Sequence, residues 1–171
     1  MKSKAFSLQK LVIAAVFTAM GVLLSPLLYV PVGPVKAFPV QHMINVLLAV
    51  LLGWRYGIGT AFSISTIRIV MSSGSILAYP GSMIGAALAG YVYKKTGNVL
   101  AAAAGEVIGT GIIGALAAYP LASVFLGTQA GAFFLVLPFA ASSAVGALCA
   151  WLLCQVLPMP RLREIAERER G

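Results

Sequence analysis

The sequence predicts an all-α integral membrane protein, a bundle of six transmembrane helices with both termini cytoplasmic. Of its 171 residues 60% are hydrophobic and 9% charged, whereas a soluble domain carries about a quarter charged residues. The apolar residues fall in long runs separated by short polar turns, the pattern of packed spanning helices. The basic residues stand at the ends of these runs, where they act as orientation signals. At roughly 20 residues per crossing, the chain has room for at most about seven or eight spans and almost none for an extramembrane domain. Residues 1–171 therefore read as a single membrane domain, with no soluble lobe to hydrolyse ATP.

The first span is expected over residues 11–29, with Pro26 near its outer end. Lys10 before an apolar core looks like a signal peptide, but the run lacks a cleavage site and more spans follow, so it reads as a retained helix. Pro31 to Pro39 form a turn-rich loop. The second span covers 40–52, and Gly53 to Gly57 turn the chain into a third at 58–71. Ser72-Ser73-Gly74-Ser75 lead to a fourth at 80–93, and Lys94 to Asn98 turn again. A fifth covers 99–118 and a sixth 132–157, and the polar tail, 158–171, forms a short surface helix. The second and third spans are short, about 13 to 16 apolar residues, a length also compatible with a re-entrant hairpin.

Charge placement favours six crossings over that hairpin. With the N-terminus inside, Lys2, Lys4, Lys10, Arg55, Lys94, Lys95, Arg161, Arg163, Arg168 and Arg170 all face the cytoplasm. Lys36 alone lies in an outer loop, and Arg68 falls within the third span. That is ten basic residues inside against one outside. A hairpin makes four crossings and moves Arg55 into or across the membrane. The net charge of +8 is thus an orientation signal, not a nucleic-acid footprint.

Small residues pervade the helices. Ala14, Ala15, Thr18 and Ala19 form a stripe on the first span, and Gly85/Ala89, Ala86/Gly90, Gly105/Gly109 and Gly114/Ala118 repeat the spacing elsewhere. Such stripes let backbones approach closely, within one bundle or against a partner. Cys149 and Cys154 lie on different faces of one helix, with no zinc spacing, and read as small packing residues.

Polar residues inside spans are costly and therefore informative. Glu106 is the only acid before the tail. It lies roughly 12 Å into the fifth span at helical rise, one turn before Thr110 and flanked by Gly105 and Gly109. Two readings stand: a ligand contact, or a structural ion pair with Arg68. Gln41, His42 and Asn45 share a face near the outer end of the second span. Tyr79 and Ser82 open the fourth, whose free amides point outward. With a single His and no Cys at ligand spacing, metal binding is not expected. There is no P-loop and no credible Ser/His/Asp triad, and every acid is Glu, so an enzyme is not expected.

The stripe at Ala15/Ala19, followed by Pro39-Val40-Gln41-His42-Met43-Ile44-Asn45-Val46, resembles the substrate-binding S components of energy-coupling factor (ECF) vitamin transporters. Ala78-Tyr79-Pro80-Gly81-Ser82-Met83-Ile84-Gly85 and Gly105-Glu106-Val107-Ile108-Gly109-Thr110-Gly111 resemble the ThiW family, linked to the thiazole precursor of thiamin. The resemblance runs from about Lys10 to Pro158. It implies a multi-pass plasma-membrane protein that captures its substrate from outside, with no cofactor of its own. A transmembrane coupling protein, met by Ala15 and Ala19, and two cytoplasmic ATPases that use the ATP complete the transporter. The implied ligand is 4-methyl-5-(2-hydroxyethyl)thiazole, a small neutral heteroaromatic alcohol. An apolar, aromatic-lined pocket with a few fixed polar groups suits it. Glu106, His42, Asn45 and Tyr79 would supply these, with Arg68 orienting the carboxylate and Gln41, Ser82 and Thr110 beside them.

Two other readings compete. In one, the protein is a self-sufficient carrier or channel with Glu106 and His42 as a proton relay, although no internal repeat of the kind carriers show is evident. In the other, it is a structural subunit without a ligand.

Overall fold

A computed structural model describes residues 7–32, 35–127 and 131–167. Lys2, Lys4, Arg168 and Arg170, and the tips of two expected loops, lie outside the described residues. The fold is all-α apart from one small hairpin. In chain order it comprises α1 (Leu8–Leu24), β1 (Val30–Val32), β2 (Val35–Ala37), α2 (Pro39–Leu51), α3 (Trp54–Val70) and α4 (Ala78–Thr96). Then come α5 (Val99–Ile108), a π-helical turn (Gly109–Gly114) and α6 (Ala115–Leu126), which run on as one helix. A 3₁₀ turn (Ala132–Leu135) opens α7 (Val136–Val156), and α8 (Met159–Glu167) ends the described chain.

Helix ends differ from the sequence expectation where local chemistry intervenes. Ser7 caps α1 by accepting the amide of Lys10, and α1 ends at Leu24, one residue short of the Ser25-Pro26 pair. Ser25 keeps helical angles and donates to the Gly21 carbonyl, and the ladder stops at Pro26, which has no amide to donate. The expected outer loop instead pairs β1 with β2 antiparallel, Val30 opposite Ala37. Gly53, at φ 87°, makes the tight turn that lets α3 begin at Trp54 rather than near residue 58. Gly97, at φ 65°, closes α4, and Asn98 caps α5 through the amides of Leu100 and Ala101. The fifth helix runs to Leu126, past the expected end at 118, carrying Pro120 inside it. The expected tail helix is present as α8, whose Arg163 Nη1 donates to the Tyr93 hydroxyl at 3.1 Å.

At the centre stands α2, packed against α1, α3, α4, α5 and α7. It is buried on nearly every face, from Val40 to Val50 with Met43 only partly covered, and the polar Gln41, His42 and Asn45 are buried with the rest. One apolar cluster joins it to α1 and α3 through Ala14, Val22, Ile44, Leu48 and Ile64. A second joins it to α5 and α7 through Val46, Leu47, Ala103, Ala147 and Ala150. Against α4, the wide turn of the fifth helix packs backbone to backbone: Gly109 lies on Gly85 and Gly114 on Gly81. The small-residue spacings of α4 and α5 are therefore internal seams, where the absence of side chains permits the approach.

The surface has the opposite composition to that of a soluble bundle. Along α7 the large apolar side chains Leu137, Leu148, Leu152 and Val156 point outward, while Ser142, Ser143, Gly146, Ala147 and Ala150 face in. Two helical stretches, Val99–Phe125 and Phe133–Val156, are long and apolar enough to cross a membrane.

Candidate functional site

A cavity of about 690 Å³ opens where the β-hairpin, the α3–α4 connection and the start of α7 meet. Its apolar wall includes Tyr29, Phe38, Phe134, Pro138 and Phe139, and its polar wall Gln41, His42, Arg68, Ser82, Thr110 and Ser142. Among the described residues no carboxylate lines it, and the lysine and arginine side chains in its wall are Lys36 and Arg68.

The polar wall is built on the first turns of α2. Pro39, whose ring suits the first helical turn, starts that helix, and the 3.6-residue repeat then puts Gln41, His42 and Asn45 on its inner side. Gln41 bridges two neighbours. Its Nε2 donates to Ser65 Oγ at 2.9 Å, and its Oε1 accepts from Arg68 Nη1 at 2.9 Å. Arg68 is 1% exposed. Its Nη2 donates to the Ser73 carbonyl at 3.1 Å, and its Cζ lies 3.9 Å from the centre of the Phe38 ring. That contact is a cation–π interaction in a desolvated place, where such contacts are strongest. Ser72, at φ 55°, turns the chain so that Ser73 reaches back to Arg68.

A second cluster lies deeper. Glu106, fully buried, has His42 Nδ1 2.8 Å from one oxygen, Oε1, and accepts from Asn45 Nδ2 at 3.0 Å on the same oxygen. The Thr110 hydroxyl lies 3.0 Å from the same oxygen and 3.1 Å from the Gly81 carbonyl, with one proton to share between them. Asn45 also donates to the Ser82 carbonyl at 3.0 Å, and Ser82 Oγ approaches Ser65 Oγ at 3.2 Å. The two clusters thus meet through Ser65 and Ser82. Thr110 is aimed at Glu106 by the π-helical turn, the kind of local widening that is frequent at functional sites.

The structure separates the residues singled out in the sequence. Gln41, His42, Arg68, Ser82 and Thr110 line the cavity; Glu106 and Asn45 stand behind that wall. Tyr79 points elsewhere, its hydroxyl 2.9 Å from Thr66 Oγ1 and its ring 5.5 Å from that of Phe62. The expected contact between Arg68 and Glu106 is not formed. Gln41 takes the guanidinium and His42 takes the carboxylate, because those two adjacent α2 side chains project to different neighbouring helices. Aromatic residues supply walls that sequence reasoning did not assign: Phe38, hidden in a turn-rich loop, and Phe139, indistinguishable from its apolar neighbours. Ser142 had a usable signal, since Ser142-Ser143 interrupts an otherwise apolar helix. Among the described residues, no group of three or more His, Cys, Asp or Glu side chains is placed to hold a metal ion.

Ala15 and Ala19 lie about midway along α1 on its exposed side. With Leu11, Thr18, Gly59, Ser63 and Ile67 they line a groove of about 670 Å³ between α1 and α3.

Residues 11–159 match the model of one protein family, described as thiamine-precursor transporter protein (ThiW). No curated protein matches the chain.

Proposed function

We propose, from the premise that the chain belongs to the ThiW family of thiamine-precursor transporters, that it is the substrate-capturing S component of an ECF transporter and that its ligand is hydroxyethylthiazole. The family is one of transporters, so the chain is a membrane protein and not an enzyme. The observation that carries the ligand reading is the cavity. Aromatic and apolar side chains make most of its wall, and a few polar groups are held in place by bonds to one another, as suits a small heteroaromatic alcohol. The groove beside Ala15 and Ala19 supports docking on a coupling protein, with ATP used by two partner ATPases.

In this reading six helices cross the membrane with both termini in the cytoplasm. Large apolar side chains facing outward along α7 support a lipid-facing surface. Ser7 on Tyr56 and Arg163 on Tyr93 support bringing the helix ends that carry Lys10, Arg55, Lys94 and Lys95 together, away from Lys36 on the hairpin beside the cavity. In a background with Cys149 and Cys154 replaced, cysteines placed at Ser73 and Gly127 should react with an impermeant thiol reagent added outside, and one at Lys95 should not. Outside labelling at Lys95 would overturn this topology.

The contact between His42 and Glu106 is also what a proton-relay carrier would use. Such a relay needs further titratable groups toward the far end. Among the described residues the buried titratable side chains are His42, Arg68 and Glu106, all at or beside the cavity. Binding measured on the purified protein should follow the order hydroxyethylthiazole, then thiamin, then the pyrimidine precursor. A preference for the pyrimidine would remove the thiazole assignment while leaving the family untouched. Co-purification with a coupling protein and ATPases separates an S component from a carrier or a subunit without ligand.

A further inference from the structure

We propose that His42 Nε2 accepts the hydroxyl proton of the ligand, and that Glu106 acts on the ligand only through His42, by holding the hydrogen on Nδ1. The inference deepens the reading above and rests on it. It begins from the carboxylate. Glu106 is fully buried and absent from the cavity wall, and its second oxygen, Oε2, is buried with no partner. A molecule in the cavity therefore cannot reach either oxygen: Oε1 is taken up by protein donors and Oε2 is shut away.

The imidazole is the group between them. In the proposal Glu106 is the acceptor of the 2.8 Å contact, which puts the hydrogen on Nδ1. In a neutral imidazole that choice leaves a lone pair on Nε2. The ring borders the cavity, and Nε2 has no protein partner among the described residues, yet it is not among the buried atoms that lack one. It is open to the cavity. Asn45 and Thr110 hold Glu106 from two further directions, so the carboxylate, and through it the ring, has little freedom. A site that presents a bare acceptor selects a ligand with a hydroxyl donor, because a ligand without one leaves the desolvated acceptor unpaired.

The test needs no mutation at first. Purified protein is titrated with hydroxyethylthiazole, with the 2-fluoroethyl analogue, close in size but unable to donate, and with the 5-ethyl analogue. The alcohol should bind at least about tenfold more tightly than both. Equal affinity for all three overturns the acceptor role while leaving the thiazole reading intact. No binding by any of them removes the thiazole reading and the acceptor role with it. His42→Phe should bind the three alike; a preference for the alcohol that survives this change overturns the proposal.

The role of Glu106 is read from the tautomer. In ¹⁵N spectra of the wild type, His42 Nδ1 should be protonated and Nε2 bare. Glu106→Leu should lose that bias together with the preference for the alcohol. Glu106→Gln should restore both, since its amide oxygen can accept the same Nδ1–H. If Glu106→Gln keeps the tautomer but loses the preference, the carboxylate itself touches the ligand and the proposal is wrong.

Discussion

Ala15→Trp combined with Ala19→Trp should abolish uptake by cells while leaving ligand affinity of the isolated protein within about twofold of wild type. Both alanines are exposed and border the groove between α1 and α3. Neither belongs to the cavity wall. Helix α1 buries only Ala14, Gly21 and Val22 of its own length, on the side turned to α2 and α3. Two indoles in the groove meet open space rather than the bundle core, so the fold survives. What they occupy is the depth into which a partner helix would settle, and small residues at such a seam are what permits close approach. Equal loss of binding and uptake would make the stripe part of the protein's own packing. Undiminished uptake would show that no partner uses this face.

Gly85→Ala should lower stability by roughly 1–3 kcal/mol, the usual cost of an added methyl in a packed interior. A Cβ at this position collides with the Thr110 hydroxyl and lies 2.7 and 2.8 Å from the two Glu106 carboxylate oxygens. The carboxylate cannot swing aside without breaking its bonds to His42 and Asn45. Thermal unfolding in detergent should therefore fall by several degrees, and ligand affinity should fall with it because His42 loses its support. Gly59→Ala is the control. Nothing lies within 4 Å of a Cβ there, so the change should cost nothing and, inside a helix, should if anything stabilise slightly. Should Gly85→Ala unfold and bind like the wild type, the tight seam between α4 and the π-helical turn is looser than the structure shows.

Much of the fold was legible because a bilayer reduces it to one variable. Each polar break in the hydropathy marks a turn, and six of the helices described here begin within a few residues of the expected starts. The errors have local causes. The hairpin of β1 and β2 is too short to leave an alternating pattern, and Val30-Pro31-Val32 reads equally well as loop. The fifth helix continues to Leu126 because Pro120 follows the π-helical turn without ending the helix. A sequence rule takes proline as a stop, whereas inside a packed bundle a helix can run through one.

For the site, composition carried further than geometry. Glu106, His42 and Arg68 stood out by being ionisable inside apolar runs, and all three are buried in one polar network. Which of them bond was not legible. Gln41 and His42 are neighbours in sequence, and α2 carries their side chains about 100° apart, so one meets Arg68 on α3 and the other Glu106 on α5. Tyr79 shows the converse. Its position at the start of α4 suggested the cavity, but the rotation of that helix turns its ring toward Phe62. The sequence alone therefore marked where apolar helices alternate with polar turns, and which side chains are too polar to be left in hydrocarbon. The tertiary structure decided who satisfies whom. Helix rotation sets the partners of a buried polar group, and hydropathy, which records cost but not direction, is silent on rotation.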